Sequence, residues 1–106
     1  MQGIIKNRIT DLRDLCKSLG VQRLHVFGSA VTKDFNSDSD IDFLISFSKT
    51  LTVREYTDNY FSIQYKLRDL FKRNIDLVTE RTLSNPYFIE SINESKQLIY
   101  DVSYIK

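Results

Sequence analysis

One motif constrains the fold of this 106-residue chain more than any other feature: an apolar run ends at Gly28 and Ser29, and Asp40, Ile41 and Asp42 follow after ten intervening residues. The apolar run predicts a buried strand. Gly28 has no Cβ atom, so backbone amides after that strand can approach a bulky anion. We therefore interpret Gly28 and Ser29 as a candidate phosphate-binding turn.

Three carboxylates follow this turn on two further predicted strands. Residues 41–45 are rich in branched and aromatic side chains, and Asp40 and Asp42 lie two positions apart, which places them on the same side of a strand. Residues 74–79 predict another strand, in which Asp76 points opposite to its apolar neighbours. Hard oxygen ligands at this spacing suit magnesium.

Carboxylates beside a Gly-Ser turn form an arrangement that chemistry on a nucleoside triphosphate can use. Two divalent ions held by shared carboxylates would neutralise the triphosphate and stabilise both oxygens of an in-line displacement. In this interpretation Asp40 and Asp42 hold the ions, and Asp76 completes the shell and accepts the proton of an incoming hydroxyl. Ser29 and the neighbouring amides would hold the outer phosphates.

Hydrophobic periodicity places helices around these strands. A long helix, called the third helix here, is predicted from Thr52 to Lys72. Asn85 followed by Pro86 predicts the start of another helix. Gln97–Tyr100 fits either a last strand or an extension of that helix. A first helix ending at Gly20 is predicted by apolar residues at three- and four-residue steps: Ile4, Ile5, Ile9, Leu12, Leu15, Cys16 and Leu19.

An aromatic cluster within the predicted third helix has two interpretations. Its members are Tyr56, Tyr60, Phe61 and Tyr65. We interpret the cluster as part of the core, with the alternative that some of it forms a surface for a partner protein, because aromatic side chains are enriched at interfaces.

Composition limits the class of protein. The chain is long enough for one domain, and its net charge of +1 gives no electrostatic reason to expect a nucleic acid or an anionic membrane as partner. A single cysteine rules out an intrachain disulfide. No apolar run is long enough for a membrane span, and the first residues lack the apolar core of a signal peptide. We expect a cytoplasmic protein.

The motifs together resemble the nucleotidyltransferase superfamily related to DNA polymerase beta, and its minimal, single-domain branch in particular. The resemblance extends over nearly the whole chain. It implies an α+β (α/β) domain over residues 1–106, with helices packed on a small mixed β-sheet. The segments that carry the resemblance are Phe27-Gly28-Ser29, Asp40-Ile41-Asp42 and Ile75-Asp76-Leu77-Val78.

The same resemblance implies a site, a reaction and a partner. Asp40 and Asp42 would bind two magnesium ions, Asp76 would be the third catalytic carboxylate, and Gly28 and Ser29 would contact the triphosphate of ATP. Such minimal proteins are often antitoxins paired with HEPN-domain toxins. The implied reaction transfers AMP to a tyrosine hydroxyl of the toxin and releases pyrophosphate.

One departure from the family pattern affects the phosphate-binding turn. Many relatives resemble Gly-Ser-Arg-x-Arg after the first strand, whereas Ala30 and Thr32 stand at the two basic positions here. Lys33 is the nearest cation. The affinity for the triphosphate and the choice of nucleobase are therefore left undecided by the sequence.

Two further functions remain as alternatives to protein adenylylation. The chain could neutralise a toxin by binding and occlusion, with the nucleotide site catalytically weak or inactive. It could also transfer a nucleotide to RNA or to a small molecule such as an aminoglycoside. The sequence offers no second domain and no basic groove to hold such a substrate, which weighs against this last function.

Overall fold

A four-stranded mixed sheet forms the centre of the fold. The computed structural model describes residues 1–104. The helices are α1 (Gly3–Lys6), α2 (Ile9–Ser18), α3 (Val53–Phe71) and α4 (Pro86–Ser95), and the strands are β1 (Val21–Phe27), β2 (Ile41–Phe47), β3 (Ile75–Thr79) and β4 (Gln97–Asp101). Short 3₁₀ helices cover Gly28–Val31, Glu80–Thr82 and Val102–Tyr104. No helix within residues 1–104 is both long and apolar enough to cross a bilayer.

The strand order is β3-β2-β1-β4, and it decides where the candidate site lies. Strand β1 runs antiparallel to β2 and β4, whereas β2 and β3 are parallel. The end of β1 therefore lies beside the start of β2, so that Phe27 pairs with Asp42. The parallel pair brings the start of β3 to the same end of the sheet.

The two faces of the sheet have different coverings. Helices α1 to α3 cover one face and form the main core with Ile41, Phe43 and Ile45 of β2, each fully buried. The opposite face carries a smaller apolar cluster of Phe27, Leu44 and Ile92, and the last of these belongs to α4. Period-two alternation along β2 produces this division.

Local signals in the sequence correctly place two helices and resolve one open alternative. Thr52 caps α3 in a capping box with Glu55, because each residue's side chain accepts a hydrogen bond from the other's backbone amide. The side chain of Asn85 caps α4, and Pro86 is the first helical residue. Gln97–Tyr100 belongs to strand β4, which pairs with β1, and does not extend the helix.

The predicted single first helix is wrong, since it is two helices separated at Asn7 and Arg8. The backbone of Arg8 has φ −117° and ψ 14°, outside the helical region. The break changes the direction of the chain so that Ile5 of α1 and Leu12 of α2 are both fully buried in one core. Gly20 does adopt the expected left-handed conformation, with φ +67°.

The aromatic cluster on α3 is only partly buried. Tyr56 and Tyr60 pack against the core, but Phe61 is 63% exposed and Tyr65 is 73% exposed. The buried stripe of α3 consists of Ile63, Leu67 and Phe71. At 100° per residue, Phe61 and Tyr65 fall outside that stripe, so their assignment to the core is wrong and they belong to the surface.

Candidate active site

The turn after β1 needs glycine at its first residue for two reasons. Gly28 has φ +71°, a conformation that side chains with a Cβ atom rarely adopt. A Cβ atom built at Gly28 would also fall well inside van der Waals contact with Oδ2 of Asp42. The missing side chain thus brings the phosphate-sized turn directly against the carboxylate of β2.

The structure brings the predicted carboxylates to the same end of the sheet. Asp42 and Asp76 are register partners on the parallel strands β2 and β3. Asp40 is exposed and lies one residue before β2 begins. Burial, together with the negative charges of Asp76 and Asp40, raises the pKa of Asp42 to about 6. Like charges therefore converge on Asp42, and a cation would relieve their repulsion.

The carboxylates of this site fit magnesium if waters and substrate phosphates supply the other ligands. Within residues 1–104, no three His, Cys, Asp or Glu side chains approach closely enough to enclose a metal ion by themselves. Magnesium is usually bound by one or two carboxylates together with waters and substrate phosphates. Carboxylates next to a phosphate-sized turn match that pattern, with Asp42 at the centre and Asp40 on a loop.

An unpredicted contact joins α4 to the turn. The backbone N–H of Gly28 donates a hydrogen bond to Oγ of Ser95, the last residue of α4, at 3.2 Å. No signal in the sequence pointed to Ser95, since it lies 67 residues from Gly28 and outside any motif. The position of α4 and the orientation of the Gly28 amide are therefore coupled.

The two positions that are basic in the family pattern have structural roles here. Ala30 is fully buried in the main core. Thr32 closes the 3₁₀ turn, because its Oγ1 donates to the carbonyl oxygen of Ser29 at 3.2 Å. Lys33 is exposed on the loop that follows. The turn thus has no arginine at the two positions that are basic in the family pattern.

Arg73 holds the loop that carries Asp40. Its Nη1 donates to the carbonyl oxygens of Asn36 and Ser39, at 2.8 and 2.9 Å. Its guanidinium also lies over the ring of Phe35, 4.4 Å from the centroid. Sequence reasoning missed Arg73, because a cation just before a predicted strand has no distinctive local pattern. Three contacts from one side chain fix the approach of Asp40 to the site.

The fold agrees with the family comparison. The nucleotidyltransferase domain family model matches residues 9–99. The match covers far more than half of the chain and includes the Gly-Ser turn and all three carboxylates. The chain belongs to the nucleotidyltransferase family.

Two relatives from Methanocaldococcus jannaschii are similar over most of their length, and both carry the provisional name protein adenylyltransferase. One is 30% identical over 88 residues, which are 83% of this chain and 84% of the relative. The other is 35% identical over 80 residues, which are 76% of each chain. The resemblance to minimal members of the family is therefore confirmed.

Solved structures confirm the predicted fold. A provisionally named minimal nucleotidyltransferase superposes with a TM-score of 0.67 at 27% identity, over 88% of this chain and 90% of that one. A toxin–antitoxin complex with AMP-PNP gives 0.67 at 18% identity, over 92% and 76% of the chains. A tri-AMPylated Shewanella oneidensis HEPN toxin in complex with an MNT antitoxin gives 0.62 at 17%, over 94% and 75%. The last two similarities support the fold alone.

Proposed function

We propose that this chain transfers AMP from ATP to a tyrosine hydroxyl of a HEPN-domain toxin, releases pyrophosphate and thereby neutralises the toxin. The observation that carries the proposal is the pairing of Asp42 with Asp76 next to the tight turn at Gly28. Relatives named as protein adenylyltransferases support a protein acceptor. The likeness to an MNT antitoxin in complex with a HEPN toxin suggests the class of partner.

In this proposal, different residues of the site bind the nucleotide and the metal ions. Gly28 and Ser29 would hold the outer phosphates of ATP, while Asp40, Asp42 and Asp76 would hold two magnesium ions. These ions would neutralise the triphosphate and stabilise the attacking and leaving oxygens. Because β1 and β3 flank β2, the turn at Gly28 and the carboxylate of Asp76 lie on either side of the strand that carries Asp42.

The proposed transfer breaks one phosphorus–oxygen bond and forms another. The tyrosine oxygen attacks the α-phosphorus of ATP, and the bond from that phosphorus to the bridging oxygen of pyrophosphate breaks. Asp76 accepts the hydroxyl proton. Its exposure on the edge strand β3 leaves it open to an acceptor hydroxyl on a second protein.

Intact mass spectrometry of the protein encoded next to this chain, taken as the candidate toxin, tests the proposal. The toxin is incubated with ATP, Mg²⁺ and either the wild-type chain or its Asp40→Asn, Asp42→Asn variant. We expect a gain of whole AMP units only with the wild-type chain. Asp58→Asn is the matched control, because it removes an exposed carboxylate on α3, away from the site. An unmodified toxin after incubation with the wild-type chain would contradict the proposal.

Neutralisation by occlusion is the second candidate. Two observations favour it: Ala30 and Thr32 replace the family's basic residues, and the amide of Gly28 already donates to Ser95. Both features predict weak binding of triphosphate. If occlusion is the mechanism, the Asp40→Asn, Asp42→Asn variant protects cells from the toxin as well as the wild type does. Loss of protection by a variant that still binds the toxin would exclude occlusion.

A further inference from the structure

Lys96, the residue between the end of α4 and the start of β4, lies beside the candidate phosphate-binding turn. The residue before it, Ser95, accepts the hydrogen bond from the backbone amide of Gly28 at 3.2 Å. The residue after it opens β4 and pairs with Val26 of β1. Lys96 is therefore next to Phe27, the last residue of β1 before the turn.

The side chain of Lys96 belongs to the face of the sheet that carries Asp42. Its backbone is extended, with φ −59° and ψ 140°, so the alternation of β4 continues back to it and places it on the side of Phe27. Phe27 pairs with Asp42, and His25 lies two residues earlier on the same face of β1. Burial lowers the pKa of the His25 imidazole, and the positive charge of Lys96 lowers it next. The ammonium of Lys96 is thus near His25, on the face of the site.

The ammonium of Lys96 has no partner among residues 1–104. Lys96 is half-buried, and none of the ion pairs in the described part of the chain includes it. Arg23, another cation near His25, is instead paired with Glu80 at 3.1 Å. Because removing an ammonium from water is costly without a counter-ion, a bound anion would stabilise Lys96. The charge of Lys96 is therefore available to a ligand at this end of the sheet.

The end of α4 gives a second reason for a cation at this position. The carbonyl groups of the last turn carry partial negative charge, and Ser95 brings that turn against Gly28. An anion bound at Gly28 would be repelled by this helix end. The last turn of α4 contains no basic residue, and Lys96 is the first residue after it. Lys96 can thus offset the repulsion where the anion would bind.

We propose that Lys96 binds the triphosphate of ATP and supplies the positive charge that Ala30 and Thr32 do not. Asp42 and Lys96 flank Phe27 on opposite sides, two strand spacings or about 10 Å apart. The proposed magnesium ions would neutralise the triphosphate from one side of the turn, and the ammonium would do so from the other. This inference rests on the proposed function, because it assigns a further residue to the same nucleotide site.

Isothermal titration calorimetry of the full-length chain with AMP-PNP or AMP, in Mg²⁺, tests the inference. For Lys96→Met we expect the affinity for AMP-PNP to fall by about tenfold, as loss of one charge-assisted hydrogen bond does, and the affinity for AMP to change little. Lys96→Arg should retain most of the affinity for AMP-PNP, since a guanidinium also binds phosphate. Lys49→Met is the matched control, because it removes an exposed lysine beyond the opposite end of β2.

The salt dependence of AMP-PNP binding separates direct contact from support of the fold. We expect this dependence to be shallower in Lys96→Met than in the wild type, because one cation no longer takes part. A lysine that only stabilised the end of α4 would leave the dependence unchanged, and that result overturns the inference.

Two failures of the titration have different meanings. Unchanged AMP-PNP affinity in Lys96→Met, or a loss found in Lys33→Met instead, overturns the inference and leaves the proposed function intact. A wild-type chain that does not bind AMP-PNP overturns both the inference and the proposed transfer from ATP.

Discussion

The two faces of β2 differ more than any other pair of surfaces in this molecule. Ile41, Phe43 and Ile45 point into a core covered by three helices and are fully buried. Asp42 and Leu44 alternate with them and point to the other face, where burial and two neighbouring negative charges raise the pKa of Asp42. A shift of one residue along the strand separates a position in the main core from one at the candidate site.

This division explains how a small domain tolerates converging carboxylates. The main core supplies most of the buried apolar surface, whereas the cluster under α4 centres on Phe27, Leu44 and Ile92. Because the carboxylates lie on the face with the smaller apolar cluster, the larger core is left undisturbed. Stability and chemistry are therefore separable by mutation, which the following four predictions exploit.

The largest effect is expected for Asp42→Asn, which should separate activity from stability. We expect AMP transfer to fall at least about thousandfold, because metal-assisted charge stabilisation contributes several kcal/mol. In EDTA, however, the melting temperature should rise, since a partly buried charge beside Asp76 and Asp40 is removed. Added Mg²⁺ should stabilise the wild type but not the variant. A lower melting temperature of the variant in EDTA would contradict the division of β2 into a stabilising face and a face that carries the site.

Adjacent residues of β2 provide a matched test of packing. Truncations of this kind usually lower the free energy of unfolding by roughly 2–5 kcal/mol. We expect Ile45→Ala to fall toward the upper end of that range and Leu44→Ala toward the lower end. Ile45 belongs to the main core and Leu44 to the smaller cluster, although both are buried. Urea denaturation measures both free energies of unfolding. Equal costs would show that α4 packs as tightly as the other three helices.

Gly28→Ala should damage the site more than the fold. A methyl group would clash with the carboxylate of Asp42, and the positive φ would cost about 1–2 kcal/mol of stability. A small misplacement of reacting groups can cost on the order of a hundredfold in rate, which is the loss we expect. Gly3→Ala is the control, because a Cβ atom there meets nothing within 4 Å. Full activity of Gly28→Ala would mean that the turn does not contact the triphosphate.

Arg73 should show the smallest of the four effects, because it acts through the loop that carries Asp40. For Arg73→Met we expect the Mg²⁺ concentration for half-maximal activity to rise by about tenfold, with kcat largely recovered at saturating Mg²⁺. Arg73→Lys should recover little, since an ammonium cannot reproduce both hydrogen bonds and the stacking on Phe35. A fall in kcat with an unchanged Mg²⁺ requirement would assign Arg73 a purely structural role.

Much of the fold followed from local sequence signals. Alternation of side chains predicted β2 and β3, and caps at Thr52 and Asn85 predicted the start of α3 and of α4. These signals succeed because a cap or an alternating strand depends on residues a few positions apart. The spacing of the Gly-Ser turn and the carboxylates predicted the candidate site residues, whose catalytic roles remain predictions.

Local signals failed where distant segments decide the outcome. The break at Asn7 and Arg8 places two helices against one core, and the exposure of Phe61 and Tyr65 depends on which stripe of α3 meets the sheet. Periodicity predicts an apolar stripe but not what covers the residues at its border.

The sequence alone determined the class of fold, the main elements and the family, because these depend on short-range patterns. Only the tertiary structure revealed that Ser95 contacts the turn and that Arg73 holds the Asp40 loop. The contacts of Ser95 and Arg73 join residues 34 to 67 positions apart. Such contacts arise from the packing of whole elements, so no local pattern can specify them.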